Sequence, residues 1–322
     1  MISVVMPAYN ASKFIAEAIE SILNQTFQEF ELLIVDDGST DNTVEIIKHY
    51  LDSDQRVQLI QAEHGGICHA LNIGIEASKY SWIARMDADD IALPKRFEKQ
   101  MSAVDSNPDV VVWGTYANHI SSTGKILSLQ QQGPLTEQEF YKLKKEGEIP
   151  FVIHPTTLLK KDILLKIGGY DPQFALAEDL ELLSRMTDHG PILAIPEVLL
   201  LYRVHLQSSS MQKFFSQQQL VGCIVERHRA RLAGTLKPEL AQHKEEEQRQ
   251  LPLVRLKQHI NTLGQFFYRK AGLHMAEQQY LSASINLGAA IIAHPYYSIP
   301  RIWKQRLSSK ARRALKESRD AD

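Results

Sequence analysis

Cysteine is scarce in this sequence. Only Cys68 and Cys223 occur in 322 residues, and neither belongs to a pair with metal-ligand spacing such as CxxC. This scarcity excludes a disulfide framework and a cysteine-based zinc site, and it favours a reducing compartment. We interpret both thiols as packed side chains.

A large excess of charge is also absent. The 36 basic and 38 acidic side chains give a formal net charge of −2, so no global field draws the chain to nucleic acid. Any electrostatic binding therefore has to be local. No GxGxxG pattern follows the first predicted strand, and this absence argues against a dinucleotide-dependent oxidoreductase.

Long hydrophobic runs are missing as well. The best apolar candidate, 285–300, is interrupted by Asn, His and Pro and is too short to cross a bilayer. The opening residues "MISVVMPAYN" contain no basic segment ahead of an apolar one, so we expect no signal peptide. We predict a cytoplasmic protein without a membrane span.

Short β-branched runs alternate with segments of helical period in the first half of the chain. The five predicted strands are 2–6, 31–35, 56–60, 81–86 and 110–114. Helices are predicted between them, the fourth with Pro94 in its first turn. Such alternation is typical of an α/β fold with a parallel sheet. From about residue 211 the pattern changes to long helical segments rich in Gln and charge, which predicts a helical appendage.

Polar loops follow the predicted strands at one edge of the sheet, where open α/β folds bind their ligands. In chain order these loops are "PAYN", "DDGSTD", "EHGG" and "DADD". Taken singly, the first three are better explained as turns and helix caps.

The loop "DADD" is harder to explain as a turn. A cap needs one carboxylate, and Asp87, Asp89 and Asp90 repel one another unless a cation neutralises them. Because alternate side chains of an extended loop share a side, Asp87 and Asp89 can point at one hard ion. Magnesium and manganese take oxygen ligands and bridge diphosphates. A solvated acidic turn remains the alternative for this motif alone.

Several segments stand in a specific order along the chain. They are "VVMPAYN", "LLIVDDGSTD", "GGICHALNIG", "IARMDADD", "HPTTLL", "GGYD", "AEDLELLSRM" and "YRVHLQSSS". Together they resemble the family 2 inverting glycosyltransferases with the GT-A nucleotide-diphospho-sugar transferase fold, a Rossmann-like, mostly parallel sheet with helices on both faces. The resemblance implies a catalytic domain over 1–210 and leaves 211–322 as a C-terminal helical region with a basic tail.

The resemblance implies roles for individual residues. Those that would hold the nucleotide-sugar are Pro7, Ala8, Tyr9, Asp36, Asp37, Gly65 and Asp87. Those that would hold the metal, Mn²⁺ or Mg²⁺, are Asp87, Asp89 and His205. A lone His at a strand end is often only a surface residue. His205 is therefore interpreted either as a metal ligand or as a surface side chain. Arg85 and Asp90 either face the nucleotide-sugar or brace the loop.

By the same resemblance, the catalytic base is Asp179 of the "ED" pair Glu178 and Asp179, which would take the proton from the acceptor hydroxyl. Both acids also begin a predicted helix, where the dipole favours them without any catalysis. This alternative stays open. Gly168 and Gly169 would form the loop where acceptor and donor meet, and His154 fits a family pattern near the acceptor.

The resulting hypothesis is the metal-dependent inverting transfer of a single sugar from a nucleotide-diphosphate sugar to a glycan or lipid-linked saccharide in surface polysaccharide biosynthesis. No QxxRW motif follows Asp179, as it does in processive synthases, which favours one sugar per encounter. The alternative is a catalytically silent nucleotide-sugar-binding or scaffold protein of the same fold. Phosphoaspartate hydrolysis is disfavoured because its DxD normally follows the first strand.

The C-terminal stretch 294–319 is basic. Eight Lys and Arg side chains face the single acid Glu317, a net charge of +7, and Tyr296, Tyr297 and Trp303 accompany them. Such a segment suits an anionic membrane surface, where lipid-linked acceptors reside and where the protein would then be peripheral. A solvated helix with a frayed tail is the equal alternative. The basic stretch lies outside any nucleic-acid reader motif, so we expect no nucleic-acid partner.

Overall fold

The computed structural model describes residues 1–204, 213–236, 238–240, 243, 249 and 251–303. The chain divides into two compact units. One contains Met1–Val204 and Gln219–Pro238, and the other contains the described residues of His205–Gln218 and Glu239–Asp322. The predicted metal ligand His205 and the basic tail from residue 304 onward lie outside the described residues.

Among the described residues, nine strands form one sheet in the first unit. They are β1 (Ile2–Ala8), β2 (Phe30–Asp36), β3 (Val57–Gln61), β4 (Trp82–Arg85), β5 (Ile91–Ala92), β6 (Val112–Ile120), β7 (Ile126–Gln130), β8 (Leu158–Lys160) and β9 (Ile192–Arg203). The strand order is β3-β2-β1-β4-β8-β6-β9-β5, with β7 beside β6. The strands from β3 to β4 pair in parallel, whereas β8 is antiparallel to both of its neighbours.

Helices connect these strands and continue into the second unit. They are α1 (Ile15–Leu23), α2 (Thr43–Ser53), α3 (Ile67–Ala77), α4 (Arg96–Ser106), α5 (Glu137–Lys145), α6 (Lys161–Lys166), α7 (Glu178–Met186), α8 (Phe214–Leu232), α9 (Pro252–Ala276), α10 (Tyr280–Ala293) and α11 (Pro295–Ile302). Single-turn 3-10 helices lie at His154–Thr156 and Pro172–Phe174.

The central strands form because their sequences are nearly continuous apolar runs. Every residue of β2 is buried, as are all but one of β1, which is the pattern of parallel strands covered on both faces. Helix α1 buries an apolar stripe formed by Ile15, Ala18, Ile19 and Ile22. The core of this unit therefore includes β1, β2 and β4, and the loops at their carboxyl ends follow buried strands.

Each of the five predicted strands is present and starts within two residues of its predicted start. Two features differ. Strand β8 lies between β4 and β6, so these two strands are not neighbours. Helix α4 begins at Arg96 and not at Pro94, because the two-residue strand β5 precedes it and Pro94 lies in the turn between them.

The described part of the second unit is helical, as predicted for the region after residue 211. Helices α9, α10 and α11 pack through small and aromatic side chains. A Cβ added at Gly264 of α9 would lie 2.4 Å from the Cβ of His294, so the two segments approach each other closely. Within the described residues, no helix is long and apolar enough to cross a membrane.

Candidate active site

The acidic loop "DADD" follows directly after β4. One carboxylate oxygen from each of Asp87, Asp89 and Asp90 lies within 4.8 Å of the others. Asp87 and Asp89 are partly exposed, whereas Asp90 is fully buried. The structure thus brings the three acids together at the carboxyl end of a central strand, with two of them open to a ligand.

Asp90 is the most constrained of these acids. Its Oδ1 accepts a hydrogen bond from the backbone N–H of Arg203 across 2.8 Å, while its Oδ2 is buried and has no hydrogen-bond partner among the described residues. Burial raises the pKa of Asp90 well above its usual value, and the charges of Asp87 and Asp89 raise it further. A nearby cation would reverse these effects by stabilising the carboxylate form.

Arg85, the last residue of β4, provides the positive charge of this cluster. Its buried guanidinium forms an ion pair with Asp87, and its carbonyl oxygen accepts a hydrogen bond from the buried Arg96 across 2.8 Å. Burial raises the pKa of Asp87, Arg85 opposes that rise and Asp89 adds to it. Arg85 therefore braces the loop through Asp87, which is one of the two roles that the sequence left open.

Asp179, the predicted base, lies in the first turn of α7 and belongs to the same electrostatic cluster. Its charge is among the causes that raise the pKa of Asp87. Burial raises the pKa of Asp179, and Arg85 opposes that rise. Burial, followed by the charge of Asp179, also raises the pKa of Glu178 to about 8. Oδ1 of Asp179 also accepts a hydrogen bond from the N–H of Leu180 across 2.7 Å, so both the catalytic and the helix-start interpretations of this acid stay open.

The loop "GGYD" before α7 is fixed to α3. Asn72 accepts a hydrogen bond from the N–H of Tyr170 across 2.8 Å and donates one to the carbonyl of Tyr170 across 2.9 Å. Gly169 has a φ of 65°, and a Cβ there would lie 2.4 Å from Oδ1 of Asn72. Arg185 of α7 donates to the carbonyl oxygen of Gly169 across 2.7 Å. A side chain at Gly169 would therefore disturb the loop that leads to Asp179.

Asp37, at the end of β2, holds the start of α3. Its two carboxylate oxygens accept hydrogen bonds from the N–H groups of Gly65 and Gly66, across 2.8 and 2.9 Å. Asp36 beside it is also buried, and its Oδ1 has no hydrogen-bond partner among the described residues. Both acids predicted to face the nucleoside are thus buried, and Gly65 contacts Asp37 through its backbone N–H.

Tyr9 and His64 form a stacked pair above Asp37. Their ring centroids lie 4.4 Å apart, and Nδ1 of His64 lies 2.9 Å from a carboxylate oxygen of Asp37. Tyr9 is 49% exposed, so its ring offers a flat apolar surface. Pro7 and Ala8 are the last residues of β1 and pair with Val35 and Asp36 of β2.

Two histidines lie in this region, one missed by sequence reasoning and one predicted near the acceptor. His64 stands in "EHGG", a loop that we placed at the ligand edge of the sheet, but only Gly65 of this loop was assigned a binding role. His154, predicted near the acceptor, is buried and lies 2.7 Å from the hydroxyl of Tyr170. Burial and the charge of Arg85 lower the pKa of His154 well below its usual value, so it stays neutral beside the site.

Comparison with known proteins decides the family. A model of the family described as "Glycosyl transferase family 2" matches residues 3–168, more than half of the chain. The chain belongs to glycosyl transferase family 2. It is 37% identical over 219 residues to the O-antigen biosynthesis glycosyltransferase WbnJ of Escherichia coli, an alignment that covers 65% of this chain and 82% of that protein. The predicted enzyme class is confirmed: the protein is a glycosyltransferase.

The fold of this glycosyltransferase is also found in solved structures. TarS residues 1–349 of S. aureus, in complex with UDP-GlcNAc, match with a TM-score of 0.57 at 16% identity, covering 92% of this chain and 91% of that one. The mannosyltransferase PcManGT of Pyrobaculum calidifontis, in complex with GDP-Man and Mn²⁺, matches with a TM-score of 0.50 at 17% identity. The match covers 98% of this chain and 83% of that one. At these identities the likeness shows the fold alone, and it confirms the predicted GT-A fold.

Proposed function

We propose that this glycosyltransferase moves a single sugar, with inversion, from a nucleotide-diphosphate sugar to a saccharide or lipid-linked saccharide in surface polysaccharide biosynthesis. The observation that carries the proposal is the convergence of Asp87, Asp89 and Asp90 within 4.8 Å, in electrostatic contact with Asp179. The charge of Asp179 raises the pKa of Asp87, which supports a common site for the acids that would serve the leaving diphosphate and the attacking hydroxyl.

The acidic loop fits a divalent cation, Mn²⁺ or Mg²⁺. Its ligand atoms are hard carboxylate oxygens, and a buried oxygen of Asp90 lacks a hydrogen-bond donor among the described residues. We propose that Asp87 and Asp89 hold the ion, joined by His205. Such an ion would stabilise the negative charge that develops on the departing diphosphate. The structural neighbour PcManGT has Mn²⁺ in its complex, which supports this choice.

The donor would enter along the carboxyl edge of β1 and β2. The exposed ring of Tyr9, stacked on His64, suits the face of a nucleobase, while the backbone of Pro7 and Ala8 lies beside it. Asp37 would act through the positions of Gly65 and His64, to which it is bonded. UDP-GlcNAc and GDP-Man in the complexes of two structural neighbours support a nucleotide-sugar donor.

Asp179 would be the base that takes the proton from the acceptor hydroxyl. Burial raises the pKa of this carboxyl, which makes the ionised form a better proton acceptor. The N–H of Leu180, which donates to Oδ1 of Asp179 across 2.7 Å, and the charge of Arg85 oppose that rise. Inversion requires the hydroxyl to attack on the face opposite the diphosphate, so Asp179 would serve the acceptor side of the site.

The biological setting is proposed from the relative WbnJ, which is described as an O-antigen biosynthesis glycosyltransferase. We propose that residues 1–210 form the catalytic domain and that 211–322 form a helical region. Its basic tail would bring the protein to the cytoplasmic membrane surface, where lipid-linked acceptors reside.

Thermal stabilisation by a panel of nucleotide-sugars with Mn²⁺, followed by measurement of nucleoside diphosphate release with saccharide acceptors, tests the proposal. We expect one donor to stabilise the protein and its turnover to require both Mn²⁺ and Asp179. A protein that binds a nucleotide-sugar but releases no diphosphate with any acceptor, in the wild type as in Asp179→Asn, would instead be a silent binding protein.

A further inference from the structure

Helix α10 of the second unit buries small side chains and exposes large apolar ones. It contains no charged residue, and its fully buried residues include the small Ala283 and Ala290. Three of its five large aliphatic side chains point outward, since Leu281, Ile285 and Ile292 are 77%, 65% and 86% exposed. A helix inside a folded unit normally buries its large apolar residues, so these three indicate a further contact surface.

The three side chains form a row and are not scattered. At about 100° per residue, Leu281, Ile285 and Ile292 lie within about 40° of one another around the helix axis. Helix α11 continues the pattern with Tyr296, Ile299 and its C-cap residue Trp303, which are 91%, 53% and 63% exposed and lie within about 60° of one another. We call these six residues the outer apolar rows.

The opposite faces of α10 and α11 contact other helices of the second unit. The hydroxyl of Ser298 donates to the carbonyl oxygen of Ala290 across 3.0 Å, and Tyr297 packs edge-on against Tyr268 of α9. The outer apolar rows are therefore not a surface on which these helices pack against one another, and rotating α10 to bury its row would break these contacts.

The charge around the outer apolar rows selects their partner. No acidic residue occurs between Glu277 and Glu317, whereas the stretch 294–319 has a net charge of +7. An anionic surface is therefore attracted along the whole segment. A second copy of the chain would bring an equal positive charge to the same place and be repelled. Trp and Tyr beside aliphatic residues match the interfacial layer of a bilayer.

We propose that the outer apolar rows of α10 and α11 lie in the headgroup region of an anionic membrane. The helices would rest parallel to the surface, with Leu281, Ile285 and Ile292 below the headgroups. This inference deepens the proposed function, because a lipid-linked acceptor is presented at such a surface. Its test does not depend on sugar transfer.

Co-sedimentation of the full chain with phosphatidylcholine vesicles, with and without phosphatidylglycerol, tests the inference. We expect binding that requires phosphatidylglycerol and weakens with salt. The double variant Ile285→Ser/Ile292→Ser should lower the partition coefficient about tenfold or more. The matched control is Ile126→Ser, which removes a 60% exposed isoleucine from β7 in the first unit and should leave binding unchanged.

Tryptophan fluorescence gives an independent readout in the wild type. Trp82 and Trp113 are buried in the sheet, so a blue shift on adding anionic vesicles reports Trp303. The inference is wrong if the wild type stays in the supernatant, if the double variant binds as well as the control, or if the double variant instead abolishes self-association in the absence of lipid. Loss of sugar transfer with vesicle binding intact would count against the proposed function alone.

Discussion

Arg203 at the end of β9 holds Asp90 of the acidic loop, 113 positions earlier in the chain, by a backbone hydrogen bond of 2.8 Å. The Arg203 side chain also donates to the carbonyl of Asp89 across 2.7 Å and to Glu17 across 2.6 Å, and its guanidinium lies 4.4 Å from the centroid of the Phe14 ring. One buried arginine thus joins the acidic loop, α1 and the end of β9, so the position of Asp89 depends on it.

The first prediction concerns this brace. Arg203→Ala leaves the carbonyl of Asp89 without its donor and should lower the free energy of unfolding by about 2 to 3 kcal/mol, measured by urea denaturation. It should also weaken Mn²⁺ binding about tenfold, because the loop loses its fixed geometry. Arg229→Ala is the control: this exposed arginine pairs with Glu148 across 3.2 Å and should change stability by less than about 0.5 kcal/mol. Unchanged Mn²⁺ affinity in Arg203→Ala would refute the positioning role.

The catalytic prediction separates turnover from binding. Asp179→Asn keeps the size of the side chain but removes its basicity, so kcat should fall by about 10²- to 10⁴-fold while the Kd for the donor changes little. Equilibrium binding and steady-state kinetics with the same donor measure the two quantities. A variant that loses binding and turnover equally would show that Asp179 holds the donor and is not the base.

Two adjacent glycines offer a matched pair of substitutions. Gly168 and Gly169 have φ values of 81° and 65°, so alanine is strained at both positions. A Cβ at Gly168 would meet no atom within 4 Å, whereas one at Gly169 would lie 2.4 Å from Asn72. We expect Gly168→Ala to lower the free energy of unfolding by about 1 kcal/mol and Gly169→Ala to lower it by about 2 to 3 kcal/mol, measured by urea denaturation. Equal losses of stability would mean that the Asn72 side chain moves away from the added Cβ without an energetic cost.

Stability should depend on pH through Glu178. Burial and Asp179 raise the pKa of folded Glu178 to about 8, above its ordinary value of 4.5. Between these two values the folded chain keeps a proton that the unfolded chain releases, so stability falls as pH rises through this window and levels off above it. In metal-free protein, Glu178→Gln should reduce the slope of melting temperature against pH. An unchanged slope would exclude this carboxyl as a contributor.

A feature of this structure could be predicted from the sequence when the residues that form it lie close together in the chain. Strands β1 and β2 were predictable because their apolar runs report burial directly. Strand β5, which has two residues, exists only because it pairs with β9, and β8 enters between β4 and β6 through contacts distant in sequence. No local pattern encodes either feature.

The same distinction applies to the site. Asp87 and Asp89 are two positions apart, so their spacing alone indicated that both could reach one ion. Asp87 and Asp179 are far apart in the chain, so their electrostatic interaction was predictable only through the family resemblance. Arg203 and His64 were missed because their roles come from partners far along the chain.

The central claim is that the acidic loop holds a divalent cation for the diphosphate of the donor. Calorimetric titration of UDP and GDP into wild type and Asp89→Ala, with Mn²⁺ and with EDTA, tests it most directly. The account predicts that one nucleotide binds the wild type only with Mn²⁺ and that Asp89→Ala loses this binding. Equal affinity for that nucleotide with Mn²⁺ and with EDTA, or unchanged binding in Asp89→Ala, would contradict it.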